Sequence, residues 1–113
     1  MTHPARFSRT AQREFARALE DLQHAAAAAR LKRVVAEAAR RLGERPLLGR
    51  REPALAGARY RFWSVAGFPY VIVYRPDTVP PSIVRFVHTS RDLPRVLADL
   101  KDAPDLPDTD EPD

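Results

Sequence analysis

Three runs rich in Val, Ile, Phe and Tyr follow one another in the second half of the chain and constrain its fold more than any other feature. The runs are Arg59–Val65, Tyr70–Arg75 and Ser82–Val87. Residues of these types favour β-strands, and the Gly and Pro residues between the runs favour turns. Because short connections join strands that run antiparallel, the sequence predicts a three-stranded meander.

The first half of the chain has the apolar spacing of two amphipathic helices. A short strand is predicted over residues 4–7, and the first helix follows it, capped by Ser8 or Thr10. The second helix is predicted from about Ala25 to Leu42, with Gly43 ending it. The short link between the helices predicts an antiparallel helical hairpin.

The hairpin and the sheet each have an apolar face, and packing the helices on one side of the sheet buries both. A last short helix is predicted from Leu93 to Lys101, with Asp92 as its cap and Pro94 in its first turn. The predicted fold class is therefore α+β, an N-terminal helical hairpin on a small antiparallel sheet with a short C-terminal helix. The predicted core includes Tyr60, Phe62, Ile72 and Phe86.

The charge of the chain is divided between a basic body and an acidic end. We predict one domain over residues 1–101, and the Pro-rich residues 102–113, which hold six acids and no base, are predicted to be disordered. The body then carries 19 basic and nine acidic residues, a net charge of +10. Such a body attracts nucleic acid or an acidic protein segment, although 17 of the 19 bases are Arg, which an Arg-rich codon bias also explains.

Several kinds of site are absent from the sequence. It has no cysteine, so disulfides and thiolate metal sites are excluded. It has neither a GxGxxG nor a Walker pattern, and no cofactor or metal is predicted. The longest apolar run, residues 25–29, is too short to span a bilayer, and no signal-peptide pattern opens the chain. The sequence predicts a cytoplasmic protein with no membrane partner.

Arg61, Arg75 and Arg85 lie on three successive predicted strands. If the strand registers align, their side chains gather on one region of the sheet, where they can stabilise the charge that develops on a phosphate. The alternative is that each is a solvated strand residue. His88 ends the third strand and can act as a general base, but without an evident nucleophile or second ligand it also fits a packing role at the strand end.

Aromatic residues and arginines are mixed around the first predicted hairpin. Period-two alternation places Trp63 on the face of Arg59 and Arg61, opposite the two aromatic residues predicted inside. A partly exposed Trp beside arginines suits stacking on nucleic acid or a hot spot for a protein. Our candidates for partner binding are Trp63, Arg59, Arg61 and Arg91.

The chain from Phe7 to about Leu100 resembles the RelE/ParE toxins of bacterial type II toxin–antitoxin systems, and it is closer to the ParE branch. The opening residues, Arg6–Phe15, are similar to the first strand and helix of that family. The most specific similarity runs from Ala66-Gly-Phe-Pro-Tyr70 to Val87-His-Thr-Ser-Arg-Asp-Leu93. The resemblance implies the same α+β layout.

The resemblance also implies a function. A toxin of this kind is neutralised by a cognate antitoxin, which wraps it with a helix and an extended segment. ParE-like toxins bind DNA gyrase and stabilise its cleaved-DNA state, and they are not enzymes in the strict sense. The RelE branch instead cleaves messenger RNA at the ribosome, without a metal. A binding module that has lost toxicity is a third possibility.

The residues that RelE-type ribonucleases commonly use are missing here. Those proteins have lysines ahead of the central strands and an aromatic or acid–base residue near the C-terminus. This chain has only Lys32 and Lys101, and no tyrosine follows Tyr74. RNA cleavage needs a base and an acid as well as cations. The resemblance to the ParE branch implies gyrase as the target, and the missing residues predict that the chain has no catalytic residues. If the chain is a ribonuclease instead, the candidate catalytic set is Arg61, Arg75, Arg85 and His88.

Overall fold

A computed structural model describes residues 2–101 of the chain. The acidic end, residues 102–113, lies outside the described residues. Two N-terminal helices, a small sheet and short C-terminal helices confirm the predicted α+β class. The elements in chain order are β1 (Arg6–Phe7), α1 (Arg9–Asp21), α2 (Ala25–Glu44), β2 (Arg61–Ser64), β3 (Tyr70–Arg75), β4 (Ser82–His88), α3 (Leu93–Val96) and α4 (Ala98–Lys101).

The sheet has the strand order β1-β4-β3-β2. The pairs β2–β3 and β3–β4 are antiparallel, which confirms the predicted meander. The short first strand is also present, but β1 lies parallel to β4 through Arg6 opposite Ser82 and Phe7 opposite Ile83. The sheet is therefore mixed rather than wholly antiparallel, because the helices, β2 and β3 together form a connection long enough for a parallel crossover.

Both faces of the sheet are covered. The first face packs against α1 and α2, and the second packs against α3, α4 and the segment before β2. Coverage on both sides explains why every residue of β3 from Tyr70 to Tyr74 is buried. The four predicted core residues are all buried, with Ile72 and Phe86 on the first face and Tyr60 and Phe62 on the second.

Ser8 is the cap of α1, and its hydroxyl accepts a hydrogen bond from the Ala11 amide at 3.1 Å. The prediction that Gly43 ends α2 is wrong, because the helix continues to Glu44. A Cβ atom at Gly43 would overlap the carbonyl oxygen of His3. The glycine therefore lets the N-terminal segment cross the last turn of α2.

The single predicted C-terminal helix is two short helices that meet at Leu97. Asp92 is at the N-cap position of α3, but its side chain makes no capping hydrogen bond. Leu97 and Leu100 are buried against the second face of the sheet. The end of the described chain is therefore held by burial of these leucines, and not by a capping hydrogen bond at the start of a regular helix.

Candidate partner-binding surfaces

The strand registers separate the three arginines that were expected to gather. Arg61 lies opposite Tyr74, and Arg85 lies opposite Val73. Because residues paired across strands point to the same face, Arg61 is on the first face and Arg85 is on the second. Arg75 follows Tyr74 and therefore also lies on the second face.

Arg85 is held in a half-buried ion pair with Glu14 of α1. Its Nε and Nη2 atoms donate to the Glu14 carboxylate at distances of 2.7 to 3.1 Å. Its Nη1 atom donates to the carbonyl oxygen of Val96 at 3.1 Å. The same carboxylate accepts the backbone N–H of Phe86 at 2.7 Å. Arg85 thus ties α1, β4 and α3 together.

Arg61 holds the loop that follows α2. We call residues 45–51 the Leu47 loop. The Nη1 atom of Arg61 donates to the carbonyl oxygen of Gly49 at 2.8 Å. The buried hydroxyl of Tyr74 donates to the carbonyl oxygen of Pro46 at 2.7 Å and accepts the Gly49 N–H at 2.8 Å. Burial raises the pKa of Tyr74. Two side chains of the sheet therefore fix the backbone of the Leu47 loop.

Arg75 is also engaged, since its Nε atom donates to the carboxylate of Asp77 at 3.2 Å. Its side chain is 15% exposed. The three arginines proposed for phosphate binding thus all make contacts within the fold. Their catalytic assignment stays a prediction.

His88 lies at the far end of the sheet from Arg61. It pairs with Tyr70, which lies four positions before Tyr74, the partner of Arg61, a separation of about 13 Å along β3. The Nδ1 atom of His88 accepts the Ser90 N–H at 3.0 Å and lies 2.7 Å from the Ser90 hydroxyl oxygen. The contact between His88 and Ser90 was not predicted from the sequence. A His two residues before a Ser at a strand end is the signal that could have indicated such a turn.

The partner-binding candidates lie in different surroundings. Trp63 is half-buried on the first face, and the guanidinium of Arg41 lies 5.3 Å from its ring. Arg59 is half-buried and makes contacts within the fold, whereas Arg91 is exposed in the turn after β4. The structure brings Trp63 and Arg61 together on β2 and places Arg91 elsewhere.

An apolar groove of about 490 Å³ lies beside α1 and β1. The aromatic residues of the groove contact the core, because the ring centroid of Phe15 lies 5.6 Å from that of Phe7 and 5.2 Å from that of the buried Phe86. The groove is lined by Arg6, Phe7, Gln12, Phe15, Ala16 and Leu19. This α1 groove can receive apolar side chains from another protein.

The edge of β4 is open next to the α1 groove. Strand β1 pairs with β4 only at Ser82 and Ile83, so in the described chain residues 84–88 have no strand neighbour on that side. The Ser8 hydroxyl donates to the carbonyl oxygen of Val84 at 3.3 Å. The Glu14 carboxylate accepts the backbone N–H of Phe86 on the same edge. An extended segment can pair with the rest of this edge.

Glu14 is the residue whose importance the sequence analysis missed. It lies three residues after Ala11 and four before Ala18, both of which are buried. That spacing places the carboxylate on the buried face of α1. A charge on a buried face needs a partner of opposite sign. This requirement could have identified Glu14 from the sequence as one half of an ion pair.

Residues 5–93 match the family model of the ParE toxin of the type II toxin–antitoxin system, parDE. The matched segment extends from the residue before β1 to the first residue of α3. No curated protein matches the sequence. None of the helices within residues 2–101 combines the length and apolar character needed to cross a membrane.

Proposed function

Because the chain belongs to the ParE toxin family of type II toxin–antitoxin systems, we propose that it arrests growth by inhibiting DNA gyrase until a cognate antitoxin neutralises it. The family match over residues 5–93 carries this proposal. Membership of the family implies an antitoxin partner, and the choice of gyrase over RNA rests on further observations.

The contacts of the arginines support gyrase over RNA. A ribonuclease needs cations that are free to receive a phosphate, together with a base and an acid. Arg85 is committed to Glu14, and Arg61 is committed to the backbone of the Leu47 loop. His88 lies at the opposite end of the sheet from Arg61. No grouping of acid, base and cation is evident among these residues.

We expect the purified protein to inhibit supercoiling by gyrase and to accumulate cleaved DNA, without cutting messenger RNA on translating ribosomes. Both reactions should be run on one preparation, with the antitoxin-bound form as the inactive control. Codon-linked cuts in the message with normal gyrase activity would reverse the choice of target. They would also make Arg61, Arg75, Arg85 and His88 the residues to mutate first.

The α1 groove and the open edge of β4 together support a docking site for the antitoxin. An amphipathic helix can place its apolar side chains in the groove. An extended segment can pair with the backbone groups of the β4 edge that Ser8 and Glu14 leave free. The net charge of +10 over the first 101 residues favours an acidic segment. Helix-in-groove contact combined with strand addition uses both features at one side of the molecule.

We expect Ala16→Arg to weaken binding of the antitoxin by about tenfold or more, because a long side chain would occupy the α1 groove. Ala16 is exposed on α1, and Arg is a good helix former, so the fold should be unchanged. The matched control is Ala36→Arg, at an exposed position on α2. Titration calorimetry with the product of the neighbouring gene measures both variants. Equal affinities would remove the groove from the docking site.

A further inference from the structure

Two large apolar side chains stand out as exposed within residues 2–101. Leu47 is 67% exposed and Val79 is 99% exposed. Leu47 lies in the loop after α2, and Val79 lies in the connection from β3 to β4. Isolated exposed leucines are common on protein surfaces, so exposure by itself assigns no role.

The backbone on both sides of Leu47 is fixed. The Tyr74 hydroxyl and the Arg61 guanidinium bind the residues that flank it. Three residues after Leu47, Arg50 exchanges backbone hydrogen bonds of 2.9 and 2.7 Å with Phe62 of β2. A buried hydroxyl and a guanidinium thus hold a leucine out in solvent. Binding residues are often presented in this way, on a loop fixed by a rigid scaffold.

The charged residues within the Leu47 loop are all arginines, and the acid that precedes the loop, Glu44, is paired with Arg40 of α2. Arg45 and Arg51 are exposed, and neither makes an ion pair in the part of the chain that the structure describes. The acid that follows the loop, Glu52, is paired with Arg50 at 2.6 Å. A leucine flanked by unpaired cations complements an apolar depression with carboxylates at its rim. A nucleic-acid backbone would use the cations but would leave the leucine in water.

The Leu47 loop lies on the side of the sheet away from the α1 groove. Arg50 pairs with β2, which is one edge of the strand order, whereas the groove adjoins β1 at the other edge. Trp63 lies on β2, two residues after Arg61 and on the same face. The loop therefore extends the surface on which the sequence had already placed a binding candidate.

We infer that the Leu47 loop is the surface through which this toxin contacts its target protein, with Leu47 entering an apolar depression that is rimmed by acidic residues. This surface is separate from the α1 groove that we assign to the antitoxin. The inference rests on the proposed function, because gyrase is the probe for the target.

The test compares Leu47→Asp with Ala36→Asp, which adds the same charge at an exposed position on α2. We expect Leu47→Asp to need about tenfold more protein, or more, for half-inhibition of gyrase, and Ala36→Asp to match the wild type. The unfolding midpoint and the affinity for the antitoxin should be unchanged in Leu47→Asp, because Leu47 belongs to neither hydrophobic cluster of the core and does not line the groove.

Unaltered inhibition by Leu47→Asp, beside an active wild type, would overturn the inference and leave the proposed function intact. A wild type that does not affect gyrase would instead overturn the proposed function and this inference with it. A further pair of variants, Leu47→Ala and Arg51→Ala, distinguishes whether the Leu47 loop contacts a protein or a nucleic acid. Loss of inhibition in Arg51→Ala with none in Leu47→Ala would assign the loop to DNA and would overturn the inference.

Discussion

Replacing Arg85 with alanine should lower the free energy of unfolding by about 2–3 kcal/mol. The guanidinium is the cation that faces the Glu14 carboxylate, and the two side chains are 16% and 18% exposed. Its removal leaves a half-buried charge on α1 and frees the carbonyl oxygen of Val96. Because the contact joins residues 71 positions apart, its loss should loosen α1 and α3 from β4 together. Denaturant unfolding followed by circular dichroism measures the change.

Arg40→Ala is the matched control for Arg85→Ala. Arg40 pairs with Glu37 and Glu44 on the exposed side of α2, with side chains about half exposed. The hydrogen bond from Arg40 lowers the pKa of Glu37, but exposed pairs on one helix contribute little to stability. The unfolding midpoint of Arg40→Ala should therefore stay within error of the wild type. Equal effects of the two substitutions would show that burial does not set the strength of the Glu14 pair.

Tyr74→Phe should lower the free energy of unfolding by about 2 kcal/mol, with the Leu47 loop released from the sheet. The substitution keeps the ring in the core but leaves the buried Gly49 N–H without its acceptor and the Pro46 carbonyl without its donor. We expect amide hydrogen exchange in Tyr74→Phe to be faster than in the wild type, with the largest increase over residues 45–51. If the Leu47 loop contacts the target, inhibition of gyrase should weaken before the fold is lost.

Tyr70→Phe is the control for Tyr74→Phe, because the hydroxyl of Tyr70 makes no hydrogen bond within the described residues, although its ring is buried. Its midpoint should change much less. A fall in stability as large as that of Tyr74→Phe would mean that loss of a buried hydroxyl, rather than release of the loop, explains the result.

The pH dependence gives a second measurement on Tyr74. Burial raises the pKa of its hydroxyl above the ordinary value of 10.0. The neutral form is therefore favoured in the folded state, and its stabilising contribution is complete below the ordinary pKa and is lost as the pH rises through the raised one. Stability should fall above about pH 10, and this fall should be smaller in Tyr74→Phe.

The helices and strands were predictable because each carries its own local pattern. The stripe on α2 and the apolar runs of β3 and β4 need no knowledge of distant residues. The end of α2 was not predictable in this way. Whether Gly43 stops a helix or accommodates a crossing chain depends on where His3 lies, which the sequence of α2 does not contain.

The candidate site was less predictable than the fold. Strand alternation correctly predicted that Trp63 is partly exposed and lies on the same face of β2 as Arg61. It could not show that Arg85 would meet Glu14, since the two lie 71 residues apart and belong to different elements. The composition of the Leu47 loop showed that it is basic, but only the position of Tyr74 in the fold shows that the loop is fixed.

The parallel pairing of β1 with β4 sets the order in which this chain can acquire its structure during synthesis. Strand β4 lies between β1 and β3, and the contact from Ser8 to Val84 spans 76 residues. A nascent chain can form α1 and α2 early, but α1 cannot make its contacts with β4 until that strand leaves the ribosome. Contacts of such large sequence separation also form slowly. The four-stranded sheet can therefore be completed only after β4 has been synthesised.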